Sequence, residues 1–220
     1  MKRYYPVYLD IEGRKCVVVG GGTVAARKAK SLTDAGAEVK LVSPKFCRPL
    51  LDQAKKGRVR LSRKRFEARD LDGAFLAIAC SNDRKVNDRV HEAAKRRGAL
   101  VNVVDSPEQC DFIVPSVVSR GALTIAISTS AVSPALARRI REELEKRYGS
   151  NYATFLALME KSRPKILGKV KKQPERKKIF EALTRPRFVS EFVSKAKREA
   201  EALFREKLKQ LLSSGEGDHV

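Results

Sequence analysis

The sequence of 220 residues has no tryptophan, only two histidines and only four cysteines. The cysteines, Cys16, Cys47, Cys80 and Cys110, are widely separated and form no C-x-x-C pair. Neither a disulfide framework nor a preformed zinc site is therefore expected. Cys16 and Cys80 lie in apolar runs, where a buried thiol is the expected role. We predict no resident metal.

Long apolar runs are also missing. None approaches the roughly 18 consecutive apolar residues that a membrane-spanning helix requires. The start of the sequence, Met-Lys-Arg-Tyr-Tyr-Pro, lacks the apolar segment of a signal peptide. We therefore expect a soluble, cytoplasmic protein that does not bind membranes.

Acidic residues are scarce beside basic ones, with 26 Asp and Glu against 47 Lys and Arg and a formal net charge of +21. The excess is spread over both halves of the chain and is not gathered in a basic arm. Such a surface suits nucleic acid, an anionic small molecule or simple solvation. Because the aromatic residues of a nucleic-acid stacking surface are missing, nucleic acid is not the expected partner.

The most informative stretch is KCVVVGGGTVAARK, residues 15–28. An apolar run ends at three glycines and passes into a helical pattern, so a strand, a tight turn and a helix are predicted. Gly20, Gly22 and Ala25 have the G-x-G-x-x-G/A spacing of a Rossmann dinucleotide site. The other interpretation is a glycine-rich turn that binds no ligand.

In the nucleotide interpretation, the backbone N–H groups of Gly22, Thr23 and Val24 face the phosphates at the helix N-terminus. The acidic residue that usually binds the ribose after the second strand is missing, and Ser43-Pro44-Lys45 occupies that place. The Ser43 hydroxyl and the backbone there could hold the ribose, whereas Lys45 could accept a 2′-phosphate. These residues alone leave the choice between NAD and NADP open.

Polar residues follow two further predicted strands. Ser81 and Asn82 come after the apolar run 74–79, and Asp105 comes after the strand 100–104. Ligands in open α/β sheets bind at the carboxyl ends of strands, so Ser81 and Asn82 are candidate cofactor contacts and Asp105 is the candidate catalytic carboxylate. Ser81 and Asn82 could instead cap the next helix, and Asp105 could start a turn.

The pattern predicts an α/β fold with a Rossmann-like, mostly parallel sheet, then a small β hairpin and an all-helical C-terminal region. A short edge strand is expected over residues 5–11, and a hairpin of residues 112–118 and 122–127 is expected to join the sheet edge. The predicted domains are 1–112 for NAD binding, 113–149 for dimerisation and substrate, and 150–220 for the helices. The apolar faces after residue 150 look too sparse for a large separate core, which predicts a homodimer.

Several motifs, in this order along the chain, resemble the precorrin-2 dehydrogenases of sirohaem biosynthesis, which stand alone or form the N-terminal module of sirohaem synthase. The motifs are residues 18–28, Gly36-Ala37, residues 102–107, residues 112–116, residues 126–128 and residues 133–138. The resemblance runs from about Tyr5 to Tyr148. Beyond that point the helices match in general character only.

The resemblance implies an oxidoreductase that oxidises precorrin-2 to sirohydrochlorin with NAD, and some members also insert ferrous iron as a ferrochelatase. It implies pyrophosphate contacts at Gly22, Thr23 and Val24 and ribose contacts at Ser43, Pro44 and Lys45. Asp105 corresponds to the family's essential aspartate. The family also lacks the acidic residue after the second strand and still uses NAD.

The substrate implied by the resemblance is a tetrapyrrole with eight carboxylates, which basic side chains would attract and orient. Arg120, Arg138 and Arg139 are the candidate ligands, although each could equally be a solvated surface charge. Ser128 lies where some bacterial relatives have a serine that can be phosphorylated. Those relatives continue with two glycines, whereas this chain has Thr-Ser-Ala at 129–131.

Two other classes of function stay open on the sequence. A regulatory Rossmann module that senses NAD without turnover would share the glycines but would not need Asp105. A basic nucleic-acid-binding regulator would show an affinity that falls steeply with salt. No recognisable DNA-reading helix pair supports the second class.

Overall fold

The computed structural model describes residues 4–213 of the chain. The chain divides into two compact units, one ending at Val114 and the other beginning at Pro115. The strands of the first unit are β1 (Lys15–Val19), β2 (Glu38–Val42), β3 (Val59–Ser62), β4 (Leu76–Ala79) and β5 (Leu100–Val103). They form one parallel sheet in the order β3-β2-β1-β4-β5. The predicted α/β class is confirmed.

Helices cross over between the parallel strands. They are α1 (Thr23–Asp34), α2 (Arg48–Lys55) and α3 (Arg84–Arg96), with short 3₁₀ turns at Ala68–Leu71 and Pro107–Gln109. The chain moves outward from β1 to β3 and then returns to place β4 on the other side of β1. This reversal is a topological switch point, the place in open α/β sheets where ligands bind.

Both faces of the sheet are buried. On one face, Ala25 and Ala29 of α1 pack on Val18 of β1, and small residues allow this close approach of helix and strand. On the other face, Val90 of α3 packs on the side of the sheet that carries Val17. Strands that are covered on both faces explain the continuous apolar runs in the sequence.

The outer edge of β5 is covered by its own chain rather than by a further strand. Asp111 N donates to Val101 O at 2.8 Å, and the Asn102 side-chain amide donates to Phe112 O at 3.0 Å. Cys110 is buried against Val103, whose N–H donates to the sulfur at 3.2 Å. These bonds satisfy the edge, so the expected attachment of the hairpin to this sheet is wrong.

The hairpin forms a separate two-stranded sheet in the second unit. Its antiparallel strands are β6 (Ser116–Arg120) and β7 (Leu123–Ile127), so the predicted strand over 112–118 begins four residues later than expected. The edge strand expected over residues 5–11 is also wrong, since these residues form no strand in the structure.

Five helices follow the hairpin: α4 (Pro134–Arg147), α5 (Asn151–Lys169), α6 (Gln173–Leu183), α7 (Pro186–Ser194) and α8 (Lys197–Ser213). They bury a core of their own. The Phe155 and Phe192 rings lie 5.2 Å apart and the Phe155 and Phe204 rings 5.8 Å apart, both edge to face, which is a favoured aromatic geometry. The expectation that these helices are too poor in apolar residues for a core is therefore wrong.

The two units do not test the predicted division at residues 112 and 149, which stays a prediction. Among residues 4–213, no helix is both long and apolar enough to cross a membrane.

A buried ionic network joins β2 to the 3₁₀ turn before β4. The Asp70 side chain is 3 % exposed and accepts hydrogen bonds from Lys40 Nζ at 2.8 Å and from Glu67 N at 3.0 Å, while Lys64 Nζ lies 3.1 Å from its second oxygen. Burial alone would raise the pKa of Asp70, but these bonds outweigh it and hold the pKa below its ordinary value.

We predict that Asp70→Asn lowers the free energy of unfolding by about 3 kcal/mol at neutral pH, because it leaves a partly buried lysine without its anion. A depressed folded-state pKa gives stability that is present above the unfolded pKa and is lost as pH falls through the folded pKa. The difference between wild type and variant should therefore shrink in acid below about pH 4. Urea unfolding at neutral and acid pH measures it.

The matched control for this experiment is Asp72→Asn. Asp72 is exposed and pairs with Arg97 at 2.7 Å, so we expect its loss to cost less than about 1 kcal/mol. Equal losses for the two variants would contradict the role of burial at Asp70.

Candidate functional site

The glycine loop after β1 is held by contacts that leave no room for side chains at two positions. A Cβ on Gly20 would lie 2.6 Å from the Cys80 carbonyl oxygen, and Gly20 has a φ of 144°, which L-residues rarely adopt. A Cβ on Gly21 would lie 1.8 Å from the Lys45 carbonyl oxygen. Both positions therefore require glycine for the fold itself.

Gly22 is different, because nothing in the fold requires it to lack a side chain. It is the N-cap of α1, with a φ of −88° that any residue can adopt, and a Cβ there would meet no atom of the described chain within 4 Å. No side chain caps the first turn of α1. The N–H groups of Thr23 and Val24 and the positive end of the helix are thus available to an anion, which fits the pyrophosphate of a dinucleotide.

The loop after β2 lies directly against the glycine loop. Cys47 N donates to Gly21 O at 2.8 Å, and Ser43 Oγ lies 2.7 Å from where a Cβ on Gly21 would be. Ser43 is half-buried, whereas Pro44 and Lys45 are exposed. The structure thus places the predicted ribose-binding residues beside the predicted phosphate-binding loop.

The turn after β4 is fixed by a side chain from α3. Asn87 is buried and makes two hydrogen bonds to the Ser81 backbone, accepting from Ser81 N at 3.0 Å and donating to Ser81 O at 2.9 Å. Ser81 Oγ accepts from Asp83 N at 3.1 Å, and Asp83 itself caps α3 by accepting from Lys85 N. Ser81 is therefore part of the turn before the helix while Asp83 is the cap.

Asp105 follows β5 and has an unusual backbone conformation. Its φ is 63°, in the left-handed region that aspartate tolerates better than most residues. The side chain is exposed, and its carboxylate has no hydrogen bond or ion pair to the rest of residues 4–213. Backbone strain of this kind persists only where the surrounding structure holds it in place. It is often found at functional sites.

A cleft of about 380 Å³ brings several of these segments together at the carboxyl edge of the sheet. Val24, Ser81, Asn82 and Asp105, all predicted from the sequence, line it. The lining also includes residues that the sequence analysis did not select: Cys80, Arg84, Asn87, Val104, Ser106 and Glu108. The candidate catalytic residue Asp105 therefore shares a cleft with three of the predicted cofactor residues.

Two ionisable side chains near this cleft have shifted pKa values, the Cys80 thiol and the Lys28 amine. Burial raises the pKa of Cys80 to about 11, although the Lys28 amine opposes this, so the thiol stays protonated at neutral pH. Burial and the neighbouring Arg27 lower the pKa of Lys28. Lys28 is half-buried and has no carboxylate partner among residues 4–213, an arrangement that an anionic ligand would stabilise.

The predicted substrate residues all lie in the second unit. Arg120 donates from its guanidinium to the carbonyls of Tyr148, Ser119 and Glu145, at 2.9, 2.8 and 3.3 Å. Arg120 therefore holds the C-terminal end of α4, a structural task that the sequence analysis did not foresee.

Arg138 and Arg139 are exposed on α4. Arg138 donates to Glu142 at 2.9 Å and Arg139 to Glu143 at 3.3 Å, each one helical turn away. Exposed pairs of this kind are weak, so the guanidinium groups can exchange these partners for a carboxylate ligand.

The loop that begins at Ser128 is strained. Ser128 Oγ accepts from Ser130 N at 3.0 Å, and the next two backbone angles are left-handed, with φ of 51° at Ser130 and 66° at Ala131. Glycine would adopt such angles without strain. This chain keeps the left-handed conformation with residues that tolerate it poorly.

Sequence reasoning missed three residues that shape the site. Gly21 occupies a position that the fingerprint treats as variable, and the only signal was its place in a run of three glycines. Asn87 resembled an ordinary helical polar residue, and Arg84 an ordinary charge at a helix start. Among residues 4–213 no group of three or more His, Cys, Asp or Glu side chains is arranged to hold a metal ion.

Comparison with protein families gives two matches. The family described as putative NAD(P)-binding matches residues 7–116, the region that holds the glycine loop and the cleft. The family described as sirohaem biosynthesis protein central matches residues 120–147, which cover β7 and α4.

Curated relatives include several siroheme synthases. That of Photorhabdus laumondii is 34% identical over 98% of this chain and 47% of its own length. Siroheme synthase 1 of Pectobacterium atrosepticum is 40% identical over 85% of this chain and 39% of its own length. The siroheme synthase of Nitrosococcus oceani is 43% identical over 65% of this chain and 31% of its own length. The chain thus spans less than half the length of these relatives.

Among solved structures, SirC, a precorrin-2 dehydrogenase, has a TM-score of 0.77 to this chain and is 29% identical in sequence. The match covers 94% of this chain and 98% of that one. These relatives confirm the resemblance that the sequence motifs indicated. The chain is thus similar to siroheme synthases and to a precorrin-2 dehydrogenase. Because the family match covers half of the chain, the chain belongs to the putative NAD(P)-binding family.

Proposed function

We propose that this chain is an NAD-dependent dehydrogenase that oxidises precorrin-2 to sirohydrochlorin in sirohaem biosynthesis. The observation that carries the proposal is the position of Asp105, whose unpartnered carboxylate shares a cleft with Val24 of the glycine loop helix and with Ser81 and Asn82. The similarity to SirC over nearly the whole of both chains supports the choice of substrate.

The chain's own groups bind the cofactor and handle the proton. The uncapped start of α1 binds the pyrophosphate, and Ser43 with the backbone near Lys45 binds the ribose. Lys28 adds positive charge on the same helix. When bound, NAD supplies the acceptor for the hydride that the substrate loses.

The substrate must also lose a proton. Asp105 accepts it on a carboxylate oxygen, because this exposed carboxylate has no hydrogen bond or ion pair within residues 4–213 and is open to the substrate. Arg138, Arg139 and Ser128 stay proposed as substrate ligands. The two arginines are exposed, and they can exchange their weak pairs with Glu142 and Glu143 for substrate carboxylates. Arg120 is a weaker candidate because its guanidinium already binds three carbonyls.

We assign the reaction to the cytoplasm. All four cysteines lie among the described residues and remain thiols, which fits a reducing compartment. Ferrous iron insertion stays a prediction of the family resemblance. It is tested by adding ferrous ion to the sirohydrochlorin that the chain produces and following the sirohaem spectrum.

The first prediction concerns cofactor binding. Gly22→Ala should fold normally, because the Cβ meets no protein atom, yet weaken NAD binding by about tenfold or more, because the Cβ occupies the space of the pyrophosphate. Calorimetric titration with NAD measures the affinity, and thermal unfolding measures the fold.

Two other glycines serve as controls for Gly22. Gly149→Ala also meets no atom within 4 Å and should change neither property, whereas Gly21→Ala should destabilise the fold through its clash with Lys45 O. Unchanged NAD affinity in a folded Gly22→Ala protein would contradict pyrophosphate binding at this loop.

The second prediction concerns the base. Asp105→Asn should keep the left-handed backbone and the NAD affinity but reduce turnover by about 100-fold or more. The assay is anaerobic, with precorrin-2 made in situ, and follows NADH and the sirohydrochlorin spectrum together.

Glu108→Gln is the control for Asp105→Asn, because it removes another carboxylate from the same cleft and should leave turnover intact. Undiminished turnover of Asp105→Asn would remove Asp105 from the mechanism. If the wild-type chain binds NAD but forms no product with NAD or NADP, a regulatory nucleotide-sensing role takes the place of the dehydrogenase.

The third prediction concerns assembly, since we propose a homodimer formed through the hairpin and the start of α4. A two-stranded sheet is marginal by itself, and Val117, Val132 and Leu136 are 41%, 66% and 50% exposed there. Leu136→Glu should convert a dimer into a monomer of 24.6 kDa in sedimentation velocity. The new Glu lies at the N3 position after the Ser133 cap, where it favours the helix.

Leu167→Glu, at a 38% exposed leucine of α5, is the control and should leave the dimer intact. A wild-type chain that sediments at 24.6 kDa across micromolar concentrations would overturn the dimer.

A further inference from the structure

The second unit contains a cavity that the proposed reaction does not use. It has a volume of about 950 Å³, within the range of small-molecule sites, and lies among α6, α7 and α8. Its apolar lining comes from the loop before α6 and from all three helices: Val170, Ile179, Ala182, Phe188, Leu203 and Leu211. Such a lining suits a ligand with a broad apolar body.

Cations from three elements surround this apolar lining. Lys178 of α6, Arg185 and Arg187 at the start of α7, and Lys207 of α8 all line the cavity. None of the four has an ion pair or a hydrogen bond to another side chain within residues 4–213. Some other cations of these helices are paired, as Arg205 is with Glu201 at 3.1 Å.

Three carboxylates of the described chain line the cavity as well, and none of them forms an ion pair with these four cations. Glu175 lies 3.5 Å from Lys172 and Glu191 lies 3.9 Å from Lys195, and neither lysine lines the cavity. Glu206 is the remaining carboxylate of the lining. Within the described residues, the lining thus holds four cations without an ion pair beside three carboxylates, and a ligand with several anionic groups would supply the cations with partners.

The shape and the charge together select the class of ligand. A free phosphate would use the cations but not the apolar lining, and a fatty acid would use the lining but only one cation. We propose that this cavity is a second site for a polycarboxylate macrocycle, the class of the substrate and product in the proposed function, on which this inference rests. The ring system packs on Phe188 and its apolar neighbours, and the carboxylates bind the arginines and lysines.

Such a site would hold a tetrapyrrole on the enzyme before or after turnover. Binding to the same chain raises the local concentration of the macrocycle without any new catalytic group. The cavity belongs wholly to the second unit, whereas the cleft with Asp105 belongs to the first. The two sites can therefore be removed separately by mutation.

The experiment titrates the full-length chain with uroporphyrin I, a stable porphyrin with eight carboxylates, and follows the porphyrin fluorescence. In Arg185→Ser/Arg187→Ser, either one fewer porphyrin should bind per chain, or the affinity of the cavity for the porphyrin should fall by about tenfold or more. Serine at 185 is a good N-cap for α7, so the helix is retained. Ala182→Trp, which fills the cavity from its apolar side, should give the same loss.

The matched control is Arg198→Ser/Lys209→Ser, which removes the same charge from exposed positions of α8 outside the cavity. It should leave porphyrin binding unchanged. Equal weakening in both double variants would mean attraction to the overall charge and would overturn the site. Unchanged stoichiometry and affinity in both Arg185→Ser/Arg187→Ser and Ala182→Trp would overturn it as well.

Turnover of precorrin-2 with NAD, measured on the same proteins, separates this inference from the proposed function. Porphyrin binding that depends on Arg185 and Arg187 in a chain without turnover supports the cavity and overturns the dehydrogenase. Turnover in a wild-type chain whose porphyrin binding ignores these arginines overturns the cavity alone.

Discussion

The first unit depends on one close approach, that of the glycine loop to the backbone of its two neighbouring loops. Gly20 lies against the Cys80 carbonyl and Gly21 against the Lys45 carbonyl, at separations that no side chain could fit. The loops after β1, β2 and β4 are thereby packed backbone to backbone. Because the chain turns so tightly there, α1 begins at once and directs its unsatisfied N–H groups toward the edge where those loops meet.

Because of this packing, the three glycines are required for different reasons. The first two are needed by the fold, whether or not a nucleotide binds, while the third is needed by nothing in the protein. Glycine is tolerated at an N-cap, but it supplies no side-chain acceptor for the first turn, as Ser, Thr, Asp or Asn would. Its retention is explained by a ligand that approaches the backbone, so Gly22 is better evidence for a cofactor than Gly20 or Gly21.

The sequence predicted those parts of the fold and site that local patterns determine. The strand, turn and helix at residues 15–34 followed from glycine spacing and apolar periodicity, and the strand ends placed Ser81, Asn82 and Asp105 at one edge because parallel strands end together. The hairpin was misplaced because Asp111 and Asn102 close the β5 edge through contacts that no periodicity reveals. The helical core was missed because its phenylalanines come from separate helices at irregular spacing.

Net charge shows the same limit of sequence reasoning. A total of +21 suggests an anionic partner but says nothing of where it binds. The structure sorts the cations by what they contact: Arg138 and Arg139 pair within α4, Arg120 binds carbonyls, and Lys40 and Lys64 hold Asp70. A cation that already has such a partner in the protein is weak evidence for a ligand. The informative cations are those without an ion pair at a site: Lys28 is half-buried beside the cleft, and Arg185 and Arg187 lie at the cavity, where no carboxylate of residues 4–213 pairs with them.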